Sequence, residues 1–402
     1  MRLTSVQINH YKSLSEVKLD NLQPLTLLVG ANGTGKSNLI DALRFLRDMV
    51  VDGLDHAMSK RGGIMTVRQY SPKKPYDVTI KIEFCDTTSF GSWDGFYEIT
   101  IASLKVGNYQ IKSERACWCE AKHDFDDDDN IIASRWIKKV LLRESDGNAT
   151  LDINVDDNKE ALRTNKLPKD QAALSDIFVQ WHGAGLFELL HDCRFSSIFP
   201  NTLREPSRPD TDYILKESGV NWASVVKSLR KNEEGKHALA RILEMMQVVM
   251  PSLQEISVRT VGSYLVPEFR VKDGQTSTIH AFDPVQLSDG TLRIFGILLA
   301  LYQTPPPPFI ALEEPEQTIH PAILAMLAEA FREVSERTQL LVTSHSPYLV
   351  DHFQPEEIRI VSMHEGKTRI SPIKTSQLES VKENLISLQE LMMAEGLLAE
   401  GQ

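Results

Sequence analysis

Apolar residues along this chain change period several times, and each change marks a different kind of element. Leu3, Val6 and Ile8 open a first strand. Leu25-Thr26-Leu27-Leu28-Val29 is a short apolar run of the sort a parallel strand buried on both faces requires. Glycines follow at once, and residues 38–46 then carry apolar side chains at helical spacing, giving strand, glycine-rich turn, helix. From about residue 76 to 156 the period falls to two: 78–84, 97–101 and 109–112 each alternate, which predicts half-buried antiparallel strands. Residues 158–250 are mainly helical by pattern, most clearly at 222–229 and 239–246, where the methionines read as core. Residues 253–282 are strand-like again. Beyond them come an apolar helix at 294–301, a proline break at 305–308, buried strands at 309–312 and 340–342, and last strands at 358–361 and 368–370. A final helix is expected over 385–398, ending near Gly396, with Leu391, Met392 and Met393 packed on the core or turned to a partner. No heptad is sustained, so no long coiled coil is expected, and no internal repeat is found.

Composition narrows the classes. At roughly 100–200 residues per domain, 402 residues allow two or three domains. Hydrophobic residues at 42% and charged residues at 25% are ordinary for a globular chain and argue against whole-chain disorder. The 44 Lys and Arg against 55 Asp and Glu leave a net charge of −11. That excludes a uniformly basic nucleic-acid coat, which works by neutralising phosphates, while a local basic groove stays open. No run of 18 apolar residues occurs, so no transmembrane helix and no membrane partner are expected. The opening residues lack the apolar segment of a secretory signal. Four cysteines are too few for a disulfide framework, and Cys117 with Cys119 lacks the second pair a structural zinc needs. A reduced, cytoplasmic chain is the expectation. The acidic cluster at 124–129 reads as a solvated loop tip, because it lacks the turn glycine of a calcium loop.

Four motifs carry candidate chemistry. Gly30-Ala31-Asn32-Gly33-Thr34-Gly35-Lys36-Ser37 matches the phosphate-loop pattern, with a buried strand before it and a helix after it. Its glycines let backbone N–H groups wrap a phosphate chain, and the helix start adds positive potential. Lys36 is expected to reach the β- and γ-phosphates of ATP, and Ser37 to offer a hydroxyl to Mg²⁺. Next, 309–312 is an apolar strand ending in Glu313 and Glu314. Glu313 is the expected metal carboxylate, and Glu314 the general base that polarises the attacking water. Third, Leu287-Ser288-Asp289-Gly290-Thr291 precedes the apolar helix. Ser288 and Gly290 could form a second anion site there, or Ser288 or Asp289 could simply cap that helix. Fourth, the strand 340–342 leads into Thr343-Ser344-His345-Ser346-Pro347, where His345 stands as a hydrogen-bonding polar group at a strand end rather than a pH switch.

In this order the four motifs resemble those of the ABC-type ATPase superfamily, and most closely the stand-alone ATPases near the RecF, SMC and OLD proteins. Further residues carry the likeness: Ile8-Asn9-His10-Tyr11-Lys12-Ser13-Leu14, Glu313-Glu314-Pro315-Glu316, Ile319-His320-Pro321, and Gly219-Val220-Asn221-Trp222. The resemblance covers both ends of the chain well and the middle weakly. It implies an α/β fold, an ABC-type (RecF/SMC-like) P-loop ATPase head with an inserted mixed strand and helical lid region. The head would use 1–75 and 253–402, with a strand-rich lobe at 76–156 and a helical insert at 157–252. The resemblance also implies a head-to-tail homodimer or higher oligomer that traps two ATP molecules, each touching Lys36 and Ser37 of one copy and Ser288 and Gly290 of the other. Glu314, His345 and Lys36 would be the catalytic residues, and Ser37 and Glu313 the metal residues. Lys12 would approach the phosphates or be an ordinary surface lysine. Gln69 would be the nucleotide-sensing loop glutamine or an ordinary exposed one. Asp289 departs from the transporter pattern, which has Gly there, and adds negative charge near the phosphate of the facing copy.

Competing functions differ in what they require. A transporter subunit would have far fewer residues between Lys36 and Leu287. An SMC-like clamp would need long heptads, and an OLD-type nuclease an acidic Toprim domain for which 346–402 is too short. The expectation is therefore an ATPase controlling a separate effector, such as a nuclease or toxin, in antiphage defence or DNA maintenance. The alternatives are a nucleotide-gated scaffold with little turnover, or a DNA-repair clamp with Arg204, Arg208, Lys227, Arg230 and Lys231 as its basic face.

Overall fold

The computed structural model describes residues 1–72, 75–88, 91–125, 131–155, 158–163, 166–182, 184–211, 213–276, 278–383 and 385–400. The acidic cluster at 124–129 falls largely outside them. The chain divides into two compact units. One is Met1–Gln23, Ala31–Cys193 and Val361–Ser371; the other is Pro24–Gly30, Arg194–Ile360 and Pro372–Gln402. Among the described residues, no helix is long and apolar enough to cross a membrane.

The first unit is built on an eight-stranded sheet among the described residues. Its order is Leu14–Asp20, Arg2–Tyr11, Val78–Thr88, Gly91–Ser103, Tyr109–Phe125, Ile131–Arg143, Ala149–Val155, Asn158–Arg163. Every neighbouring pair is antiparallel. The period-two stretch explains the pleat: Val78, Ile80, Ile82 and Phe84 all turn to one buried face. The helix Lys36–Asp52 packs on the strand Arg2–Tyr11, burying Leu39, Ile40, Phe45, Leu46 and Met49. The buried Glu114 accepts from Tyr97 Oη at 2.9 Å and from the Leu174 amide at 2.9 Å, tying the segment Ala173–Ser175 to the sheet. Burial raises its carboxyl above the ordinary range despite those donors and the nearby Arg143.

In the second unit the strands Arg194–Ser196, Phe309–Glu313, Gln339–Ser344 and Leu25–Val29 lie parallel in that order, and Ile358–His364, whose first three residues belong to this unit, pairs parallel with the last of them. Continuous apolar runs are what such strands need, since helices cover both faces. Leu27, Ile310, Leu340 and Val342 are fully buried against the helices Asp289–Leu301 and Leu324–Ser335. A three-stranded antiparallel sheet, Leu253–Val261, Tyr264–Lys272 and Ile279–Phe282, adds Phe269 to this core. Phe269 and Trp222 meet Phe295 edge-on at 5.3 and 5.1 Å, the geometry ring quadrupoles favour.

Two local expectations are corrected. The mainly helical stretch begins with a strand, Asn158–Arg163, which forms a hairpin with Ala149–Val155. Cross-strand pairing there overrides a weak local pattern. The terminal helix is shorter than expected, Leu388–Ala394, because a Ser387/Glu390 capping box starts it. The helix Thr375–Lys382, not expected at all, docks through Gln377, which bonds the Gly396 carbonyl and the Leu398 amide. A helix held by a polar residue leaves no apolar period to read.

Candidate functional site

The phosphate loop leaves the end of Leu25–Val29, whose Val29 pairs with Ser344 of the neighbouring strand. Gly30 closes the second unit, and Ala31 onward belongs to the first. Within the loop, Ala31, Asn32 and Gly33 are exposed, and Gly33 and Gly35 adopt φ of 81° and 107°. Such left-handed angles come at little cost only for glycine. Thr34 folds back, its Oγ1 donating to the Ala31 carbonyl at 2.9 Å. Lys36 is buried and donates Nζ to the same carbonyl at 3.0 Å. Ser37 is exposed on the first turn of the helix, beside amides with no intrahelical acceptor.

Asp41 follows one turn after Ser37 and gathers three donors: Lys12 Nζ at 2.5 Å, Tyr11 Oη at 2.7 Å and Arg61 Nε at 2.9 Å. Burial alone would raise its carboxyl, but the Lys12 and Tyr11 bonds and the Arg61 charge hold it below the ordinary value. Lys12 is therefore anchored to the helix that carries Lys36 and Ser37, which corrects the reading of it as an ordinary surface lysine. Gln69 is half-buried, its amide bonded to the His10 carbonyl at 2.7 Å. Its Oε1 is buried with no partner among the described residues, so it is not an ordinary exposed glutamine.

The acidic residues lie at the carboxyl end of the parallel sheet. Glu313 ends its strand opposite Thr343. Glu314 leaves the strand at φ 43°, pinned by its amide to the Thr343 carbonyl and to Thr343 Oγ1, each at 3.1 Å. Left-handed backbone at a non-glycine residue is costly and persists only where the surroundings enforce it. Here it turns the side chain toward the next strand end: His345 Nδ1 is 3.4 Å from Glu314 Oε1 and 3.9 Å from Glu316 Oε1. Gln317 Nε2 bonds the other Glu314 oxygen. Three supporting residues escaped the sequence reading. Glu316 is buried and accepts from Ser344 Oγ at 2.5 Å and the His345 amide at 3.2 Å, fixing the histidine's strand end. Arg293 reaches back from the helix Asp289–Leu301 to the Glu314 carbonyl at 3.0 Å. Thr343 supplies the double anchor above. The acid after Pro315 was visible as a motif letter, but nothing in its spacing reveals that it faces the next strand.

At the helix start, Ser288 is the cap, its Oγ accepting from the Thr291 amide at 3.2 Å. Its exposed position leaves the anion-site reading open beside the capping one. Asp289 pairs with Arg204 at 2.5 Å, and Arg204 also donates to the Leu287 carbonyl at 2.9 Å. The extra negative charge at that position is thus offset within the chain. Gly290 is required by contact: a Cβ there would lie 2.7 Å from the Thr318 carbonyl. Gly290→Ala is expected to displace the 317–319 turn that follows Glu316, cutting phosphate release at least about tenfold for a shift near 1 Å. Steady-state assays checked against the melting temperature would test this.

Lys36, Ser37, Lys12 and Gln69 thus belong to the first unit, and Glu313, Glu314, His345, Ser288 and Gly290 to the second. Residues 1–182 match a family model described as an AAA ATPase domain. Residues 198–351 match one described as an AAA domain, putative AbiEii toxin, Type IV TA system. No curated protein matches the chain. Among solved structures, an Smc head bound to the C-terminal winged-helix domain of ScpA is 14% identical, with 94% of this chain and 99% of that chain covered and a TM-score of 0.52. An Smc head with an extended coiled coil, bound to the C-terminal domain of ScpA derived from Pyrococcus furiosus, is 12% identical, with 96% and 99% covered and a TM-score of 0.51. At these identities the structural likeness shows the fold alone, that of an SMC head domain. The two domain matches make the chain similar to AAA-type ATPase domains along most of its length, and its fold is that of an SMC head.

Proposed function

We propose that the chain binds and hydrolyses ATP, uses the bound nucleotide to close a dimer of two copies, and passes that change to a separate effector protein. The observation that carries the reading is the strand-end pair Glu314 and His345, 3.4 Å apart and braced by Glu316. Glu314 Oε1 takes a proton from the attacking water, and His345 Nδ1 orients that carboxylate and senses the terminal phosphate. Backbone amides of the glycine-rich loop and the Lys36 ammonium hold the phosphate chain. Mg²⁺, when bound, neutralises charge on the phosphate oxygens. Ser37, with an exposed hydroxyl, and Glu313, with a strand-end carboxylate, each offer the kind of oxygen a hard cation takes. Ser288 and Gly290 of a second copy complete the cradle, with Arg204 cancelling Asp289.

Turnover is expected to need Mg²⁺ and to vanish with EDTA. Lys36→Ala is expected to weaken fluorescent ADP binding at least about tenfold, the loss of one charge-assisted contact. Binding unchanged in that variant would contradict the assignment of the loop.

The effector reading draws on the two Smc heads, which are bound to domains of ScpA; a protein partner on this head follows that precedent. Antiphage defence or DNA maintenance, with a nuclease or toxin as effector, is the setting this reading favours, and a cytoplasmic location suits it. The DNA-clamp alternative loses support from the basic face. Arg204 and Arg230 are engaged with Asp289 and Glu255, and Lys231 lies over the Tyr213 ring.

A further inference from the structure

Ser13 and the late strand Lys367–Ser371 meet at the phosphate loop, and neither Ser13 nor that strand has a role in the reading above. Thr368 is buried, and its amide donates to the Ser13 carbonyl at 3.2 Å. Its Oγ1 donates to the Thr34 carbonyl at 2.8 Å and lies 2.9 Å from Ser13 Oγ. Asn38 Nδ2 donates to Ser13 Oγ at 2.8 Å. Each hydroxyl has one proton. Thr368 spends its proton on Thr34, so Ser13 must be the donor between the two hydroxyls. The relay therefore runs one way, from Asn38 to Ser13 to Thr368 to the Thr34 carbonyl.

That carbonyl belongs to the same planar trans peptide as the Gly35 N–H, so the two point in opposite directions. A carbonyl held by Thr368 therefore fixes the Gly35 amide on the side away from Thr368. The site is closely fitted: a Cβ on Gly35 would lie 2.2 Å from Thr368 Oγ1 and 3.0 Å from Ser13 Oγ.

We propose that Thr368 is a positioning residue for the phosphate loop, orienting the Thr34–Gly35 peptide for a nucleoside di- or triphosphate, with Ser13 and Asn38 completing the relay. This rests on the nucleotide-binding reading of the loop. The test is equilibrium binding of fluorescent ADP to the full chain, with melting temperatures in parallel. Thr368→Val keeps the shape and removes the proton; it is expected to weaken binding about tenfold, as for a hydrogen bond to a charged group. Thr368→Ser, which restores the hydroxyl, is expected to recover most of that loss, which a packing role of the methyl would not allow. Ser13→Ala removes the middle of the relay, is expected to weaken binding in the same direction, and decides the matter if Thr368→Val does not fold. Folded Thr368→Val binding ADP like the wild type, while Lys36→Ala loses it, would overturn this inference and leave the nucleotide reading intact. A wild-type chain that does not bind ADP would overturn both.

Discussion

Glu314→Gln is expected to lower phosphate release by about 10² to 10⁴-fold, the usual contribution of a positioned general base. Nucleotide binding should stay within a few-fold of the wild type. The amide keeps the side-chain shape, and the φ of 43° and the bonds from the residue's own N–H to Thr343 do not depend on the carboxylate. What it loses is the ability to accept a proton at Oε1, the atom facing His345. Steady-state phosphate release beside equilibrium ADP binding separates the two effects. A variant that turns over at the wild-type rate would remove Glu314 from the chemistry and turn attention to Glu313 at the end of the same strand.

The second large effect is expected at a residue that need not touch substrate. Glu316→Ala removes the acceptor shared by Ser344 Oγ and the His345 amide inside a buried site. Leaving those donors unpaired costs about 1–3 kcal/mol of stability each. The strand end that carries His345 is then free to shift, and a displacement near 1 Å is enough for about a 10²-fold loss of turnover. Glu316→Gln keeps one acceptor oxygen and should fall between the two. If Glu316→Ala melts lower yet hydrolyses ATP normally, the brace is purely structural, and His345 holds its place by other means.

The two predictions draw on residues that the sequence exposed unequally. The strand-end positions of the phosphate-loop motif, of the two acids after 309–312 and of His345 were legible because each follows a short apolar run of the kind a buried parallel strand requires. The alternating stretch from 76 likewise gave the antiparallel lobe, since period two has one reading. Glu316, Arg293, Thr343 and Thr368 were not legible. Each acts by reaching a backbone group on another element, and such contacts leave no periodic trace. The hairpin strand Asn158–Arg163 and the helix docked through Gln377 were missed for a related reason: pairing and a polar anchor placed them, not an apolar face. Asp289 looked like a departure that would hinder a phosphate, until Arg204, more than 80 residues earlier in the chain, proved to be its partner.

The nucleotide-switched function proposed for this chain requires that nucleotide join two copies. Mass photometry of the Glu314→Gln chain, with and without Mg-ATP, asks this directly, because slowed turnover keeps the bound state populated. A doubling of mass, or a larger assembly, is expected with Mg-ATP, and its loss with EDTA. A mass unchanged by Mg-ATP, at concentrations where nucleotide is bound, would contradict it and leave a head that binds nucleotide without joining a second copy.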